Sequence, residues 1–180
     1  FFSSSVVMAH LIRELCTNET VTKELQELCG ENHPIFTACG RNDVVALQQL
    51  VADGADINVK DMMEQTLVYW ACCGGAFDSL KFLALKGVDL KQPALDGVTP
   101  ASVACSSNAE GCLRFLAENG ADLSQPDLDG LTPAYYAACL KSAGCLRVLC
   151  EHKADIQTPY PPSGPNTTPL HLAAKNGDLE

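Results

Sequence analysis

The sequence has no apolar run close to the roughly 20 residues that a membrane-spanning helix requires. It also lacks the short motifs of common catalytic and nucleotide-binding sites, with no GxGxxG, no Walker-type phosphate loop and no HExxH. Basic residues are few, with 12 Lys and Arg against 22 Asp and Glu. From these absences we expect no membrane insertion, no nucleic-acid binding through a basic surface, no cofactor and no enzyme activity.

The ten cysteines have neither the CxxC spacing of a zinc knuckle nor the loop-rich setting of a disulfide scaffold. They lie among Ala, Leu and Val, where a free thiol packs as a small apolar group. Cys39, Cys72 and Cys105 stand 33 residues apart, and Ala follows at the same position, so the position favours small volume. We therefore predict free thiols in a reducing cytoplasm and no metal site. Cys73 and Cys139 are the thiols that we expect at the surface.

A segment related to TPLHLAA recurs along the chain at a fixed period. Its copies begin near residues 33, 66, 99, 132 and 168, so the first four are 33 residues apart and the last step is 36. A second series, GAD or a close variant, begins at residues 54, 87, 120 and 153, in the same register. Two series that share one period indicate stacked structural repeats.

Each repeat predicts two helices. Thr99, Thr132 and Thr168 are the expected N-caps of a short first helix, because a hydroxyl can accept from free backbone amides and Pro suits the first helical position. A second helix with apolar residues three and four apart follows. The Gly of each GAD copy is expected to end that helix in the left-handed conformation. The dozen residues before the next Thr suit an extended, hairpin-like turn.

These motifs resemble those of ankyrin-repeat proteins over residues 33–180. The resemblance implies an all-α solenoid of stacked helix-turn-helix units with projecting β-turn fingers. The chain departs from the pattern at His33 in place of Thr, at Leu67 in place of Pro and at Lys153 in place of Gly. Residues 1–32 lie outside the repeats and read as an N-terminal helical cap, with a targeting or partner-binding helix as the alternative.

The resemblance also implies a function in protein–protein interaction, through the concave surface that finger tips and inner helices form. The partner would be another protein with a basic or apolar surface. Carried over by repeat position, the expected partner-binding residues are Arg41, Met62, Met63, Gln65, Cys73, Leu95, Asp96, Val98, Ser106, Ser107, Leu128, Asp129, Leu131 and Leu140.

The finger tips contain more apolar residues than exposure to water requires, with Met62, Met63, Leu95 and Leu128 in successive fingers. Two interpretations remain open: a strip that binds a partner, or side chains that fold back onto neighbouring fingers.

A second functional class is also open, in which the repeats are the regulatory or targeting region of a larger enzyme, channel or effector. The fifth unit lacks most of its second helix at Glu180, so we expect the array to continue in a longer protein.

Overall fold

The structure is a computed structural model that describes residues 34–159 and 168–176. The cap predicted for residues 1–32 lies outside these described residues. Four two-helix units and the first helix of a fifth follow one another along the chain. The helices are α1 (Pro34–Gly40), α2 (Val44–Ala52), α3 (Leu67–Cys73), α4 (Phe77–Leu85), α5 (Pro100–Ser106), α6 (Glu110–Glu118), α7 (Pro133–Cys139), α8 (Ala143–Glu151) and α9 (Pro169–Asn176).

The helices form two layers. The first helices of successive units, α1, α3, α5, α7 and α9, pack side by side, and the second helices α2, α4, α6 and α8 form the other layer. The core lies between the layers and is made of small and branched apolar side chains such as Leu47, Leu80, Leu113 and Leu149, all fully buried. Each unit buries its apolar faces mainly against the next, which is how a repeat array gains stability.

The first helices begin at the predicted caps. The hydroxyls of Thr99 and Thr132 accept hydrogen bonds from the backbone amides three residues later, at 3.1 and 3.3 Å. Thr168 caps α9 in the same way, through the amide of His171 at 3.2 Å. Thr66 does so for α3, although Leu67 replaces the usual Pro. The hydroxyl cap, rather than the proline, is therefore the feature that these units share.

The second helices end at the predicted left-handed residues. Gly54, Gly87 and Gly120 have φ values of 96°, 78° and 75°, and Lys153 takes the same conformation with φ of 57°. The amide after each of them bonds back to a carbonyl of the last turn, as between Ala55 and Leu50 at 2.9 Å. Lys153 thus keeps the helix end of its unit without glycine, at the modest cost that this conformation carries for other residues.

Candidate protein-binding surface

Between the units the chain turns back on itself in three fingers, which span residues 61–65, 94–98 and 127–131. In each finger the amide of the first residue bonds to the carbonyl of the fifth, at 3.0–3.1 Å. The amide of the fourth residue bonds to the carbonyl of the first, at 2.9–3.0 Å. The fourth residue has positive φ in every finger. Among the described residues the nearest approach to a strand is a single antiparallel bridge between Lys60 and Thr66 at the base of the first finger.

An aspartate ties each outer finger to the first helix that follows. Asp127 Oδ1 accepts from the amides of Asp129 and Leu131, at 2.9 and 2.8 Å. Its Oδ2 accepts a 2.6 Å hydrogen bond from the hydroxyl of Tyr136, which is fully buried in α7. Asp61 holds the first finger in the same way, with the Trp70 indole as donor at 3.1 Å. The indole and the phenol thus have a polar role that their expected core packing did not include.

The middle finger has no such tether, because Ala94 and Val103 occupy the equivalent positions and are both buried. Its neighbours hold it instead. The amide of Leu95 donates to the carbonyl of Met63 at 2.9 Å, and the amide of Leu128 donates to the carbonyl of Asp96 at 3.0 Å. The three fingers are therefore joined edge to edge by backbone hydrogen bonds.

One position of the finger places an apolar side chain in water in every unit. Met62, Leu95 and Leu128, which we call the finger row, are 70%, 62% and 78% exposed. Met63, beside the row, is 42% exposed. Folding back onto a neighbouring finger does not account for side chains that remain mostly in water. Backbone hydrogen bonds join the fingers, so the row is not needed for that purpose.

The fingers carry negative charge. Residues 61–65, 94–98 and 127–131 contain five Asp or Glu and no Lys, Arg or His. Lys60 lies next to the first finger and pairs with Glu64 at 2.8 Å. Burial raises the pKa of the Asp127 carboxyl above its ordinary value of 3.8, although the bonds from Tyr136 and two backbone amides act in the opposite direction. The finger row is thus an apolar line with carboxylates beside it.

Not all of the predicted partner-binding residues reach this surface. Gln65, Val98 and Leu131 share the last position of the finger and are buried, at 8%, 4% and 0% exposure. Their amides are bonded to the finger aspartates and the next residue is the helix cap, so the side chain points into the core. For these three the expectation of direct contact needs correction, and we leave them out of the proposed surface.

Cys73 and Ser106, at the last position of α3 and α5, are also buried. The first helices approach closely at these ends: a Cβ built on Gly74 would lie 1.9 Å from the carbonyl oxygen of Gly40. Ser106 Oγ donates to the Val103 carbonyl at 2.9 Å. Cys73 is therefore not the surface thiol that the repeat position suggested, and neither side chain belongs to the proposed surface.

The remaining predicted residues lie at the opposite end of the first helices from the fingers. Arg41 and Ser107 line a cavity of about 670 Å³ there, and Leu140 is half-buried in the corresponding turn of the next unit. A seven-residue helix separates this end from the fingers by about 10 Å of rise. The structure thus divides the predicted residues between two places rather than gathering them into one.

The cavity lies where one unit lacks a capping side chain. Asn42, with φ of 59°, accepts from the amides of Asp78 and Ser79 at 3.0 Å and so caps α4 from the preceding unit. Gly75 holds the equivalent position before α6 and has no side chain to offer. Ala109, the N-cap residue of α6, makes no side-chain bond either. The sequence carried this signal in the Asn-to-Gly difference at a 33-residue spacing.

The eight cysteines in the described part of the chain are free thiols, and six of them are buried. Cys139 is half-buried and Cys150 is exposed. Burial raises the pKa of Cys39 to about 12, so its thiol stays protonated at neutral pH. Within residues 34–159 and 168–176, no three His, Cys, Asp or Glu side chains come together as metal ligands. None of the described helices is long and apolar enough to cross a bilayer.

Comparisons with known proteins agree with this architecture. A family model described as ankyrin repeats, in three copies, matches residues 85–160. The crystal structure of the human ASB11 ankyrin repeat domain is similar with a TM-score of 0.72 and 25% sequence identity, over 82% of this chain and 65% of that chain. This chain thus spans less than two thirds of that domain's length. No curated protein matches. In its repeated sequence and in its fold, this chain is an ankyrin-repeat protein.

Proposed function

We propose that this chain binds a partner protein through the finger row and the acidic residues beside it. Ankyrin repeats are in general protein–protein interaction modules, and the fold is a scaffold rather than a catalytic framework. The observation that carries the proposal is the exposure of an apolar side chain at one finger position in three successive units. Isolated exposed apolar residues are ordinary, whereas an aligned series with polar neighbours indicates a contact surface.

The row is also held in place before any partner arrives. The finger hydrogen bonds and the tethers from Asp61 and Asp127 fix the backbone that carries it. Little backbone entropy is then lost on binding, so more of the contact energy appears as affinity. Burying a Met or Leu side chain contributes about 1.5–3 kcal/mol. Three such residues are enough for a specific contact.

Photocrosslinking tests this surface directly. A benzoylphenylalanine placed at Leu95 should crosslink to a protein from the source cell, whereas the same group at Leu85 should not. Leu85 is a matched control, because it is 86% exposed but lies on the second helix α4. Substituting Met62, Met63, Leu95 and Leu128 by Ser should abolish capture of the crosslinked protein and leave the helical circular dichroism unchanged.

The matching control for the substitutions is Val45→Ser with Leu85→Ser, which removes two equally exposed apolar residues from the second-helix layer. Capture that survives the finger substitutions, or that the control pair abolishes equally, would contradict the proposal. We also propose that the protein works in a reducing compartment, since six of the described thiols are buried and all eight are free.

A further inference from the structure

The spacing of the finger row restricts the shape of its ligand. Each finger is a hairpin two chain segments wide, and backbone bonds join it to the next finger. Hydrogen-bonded segments lie about 4.8 Å apart, so equivalent side chains of neighbouring fingers repeat at about 10 Å. The finger row therefore offers three apolar contacts in a line, at intervals of about 10 Å.

A polyproline II helix matches this interval. It rises about 3.1 Å per residue with three residues per turn, so every third side chain lies on one face at a spacing of about 9 Å. A β-strand places its third residues on opposite faces, and residues on one face repeat at about 7 Å or 13 Å. Of the two extended conformations, only polyproline II presents one side chain to each finger.

The width of the row argues against an α-helical ligand. An α-helix offers residues about 10.5 Å apart at a seven-residue spacing, but its apolar stripe is at least about 100° wide. The finger row is one residue wide. Asp96 and Asp129 come directly after Leu95 and Leu128 in the fingers, so a broad apolar stripe would meet carboxylates. Burying a carboxylate against an apolar surface is costly.

Charge defines the remaining positions of the ligand. The fingers contain carboxylates and no basic residue, whereas Lys81, Arg114 and Arg147 lie on the second helices of the other layer. We propose that the finger row binds an extended, basic peptide segment in the polyproline II conformation, with an apolar residue at every third position and Lys or Arg between. This rests on the proposed function and specifies the partner's chemistry.

Synthetic peptides of one composition test the period. A fluorescein-labelled ten-residue peptide of Leu, Pro and Lys, with Leu at positions 2, 5 and 8, should bind the full chain in an anisotropy titration. A permuted peptide with Leu at positions 2, 4 and 6 should bind at least tenfold more weakly. Raising NaCl from 50 to 500 mM should weaken the binding, because exposed charge pairs are screened.

The finger row must also be the binding site. Met62→Ser, Leu95→Ser and Leu128→Ser together should weaken the period-three peptide at least tenfold, whereas Val45→Ser with Leu85→Ser should change its affinity less than twofold. Equal affinity for the two peptides would overturn the proposal. So would tighter binding of an amphipathic helical peptide, or an affinity that the finger substitutions leave unchanged.

The two proposals fail in different ways. If the finger substitutions abolish capture of the crosslinked protein but the period-three peptide does not bind, the peptide inference is wrong and the proposed function stands. If capture itself is indifferent to the finger row, the proposed function is wrong, whatever the peptides do.

Discussion

The hydroxyl of Tyr136 donates a hydrogen bond of 2.6 Å to Oδ2 of Asp127, joining the core of one helix to the turn of the finger that precedes it. The same carboxylate accepts from two finger amides. A change in the core at Tyr136 therefore acts on the shape of the third finger, and through it on the exposed Leu128.

Tyr136→Phe should lower the free energy of unfolding by about 1.5–3 kcal/mol, because it removes a hydrogen bond to a buried charged group. Urea denaturation followed by circular dichroism measures this. The same substitution made together with Asp127→Asn should cost less than it does alone, since the charged acceptor is then absent. A cost that is equal in both backgrounds would show that packing, rather than the hydrogen bond, is responsible.

The stability contribution of Asp127 should depend on pH with the opposite sign to most aspartates. Its pKa is raised in the folded chain, so the folded state binds the proton more tightly than the unfolded chain does. The contribution is therefore most favourable below about pH 3.8 and is lost as pH rises through the raised pKa. The difference in unfolding free energy between the natural chain and Asp127→Asn should change against the natural chain over that interval. A carboxyl titration by NMR with a midpoint at or below 3.8 would contradict this.

Exchanging the capping residues of two units should change stability in opposite directions. Asn42→Gly keeps the left-handed conformation but removes two bonds to α4, and should cost about 1–2 kcal/mol. Gly75→Asn supplies the missing side chain to α6 and should gain about 0.5–1 kcal/mol, because Asn tolerates positive φ better than other residues. A Cβ at Gly75 would meet only Ala109 Cβ, at 3.8 Å, so space is not limiting.

Gly75→Ala is the control for that gain, since it adds a Cβ at φ of 64° without a capping group and should destabilise. Thermal melts of the three variants rank them. If Gly75→Asn is no more stable than Gly75→Ala, the amides at the start of α6 do not need a cap.

The thiols should differ in reactivity according to burial. Cys150 is exposed, so it should react rapidly with Ellman's reagent in the native chain. Cys150→Ser should remove one thiol from the fast phase and leave the total in denaturant lower by the same amount. Cys39→Ser should leave the fast phase unchanged, because that thiol is buried and its pKa is raised. An unchanged fast phase in Cys150→Ser would mean that this thiol is protected in solution.

The sequence predicted the helices and their ends well because these depend on local rules. A hydroxyl at Thr99 or Thr132 and a glycine at Gly87 act within a few residues, so their effect can be read from the pattern. The fold followed because the same pattern returns every 33 residues, and the only energetically reasonable use of such units is to stack them.

The finger surface was predicted less well because side-chain direction depends on contacts between units. Leu128 and Leu131 are alike in type and three residues apart, yet one is 78% exposed and the other is fully buried. The tether between Asp127 and Tyr136 decides this, and it was missed. A usable signal was present, since Asp precedes an aromatic donor by nine residues in the two outer fingers, while Ala94 and Val103 replace both together in the middle one.

The bonds that join the fingers also set how a disturbance spreads. The middle finger depends on the amides of Leu95 and Leu128, so it opens only when a neighbour releases it. Hydrogen exchange at these two amides therefore reports the opening free energy of the whole surface rather than of one turn. A ligand that covers any single finger should slow exchange in its neighbours, which makes the three fingers one cooperative element.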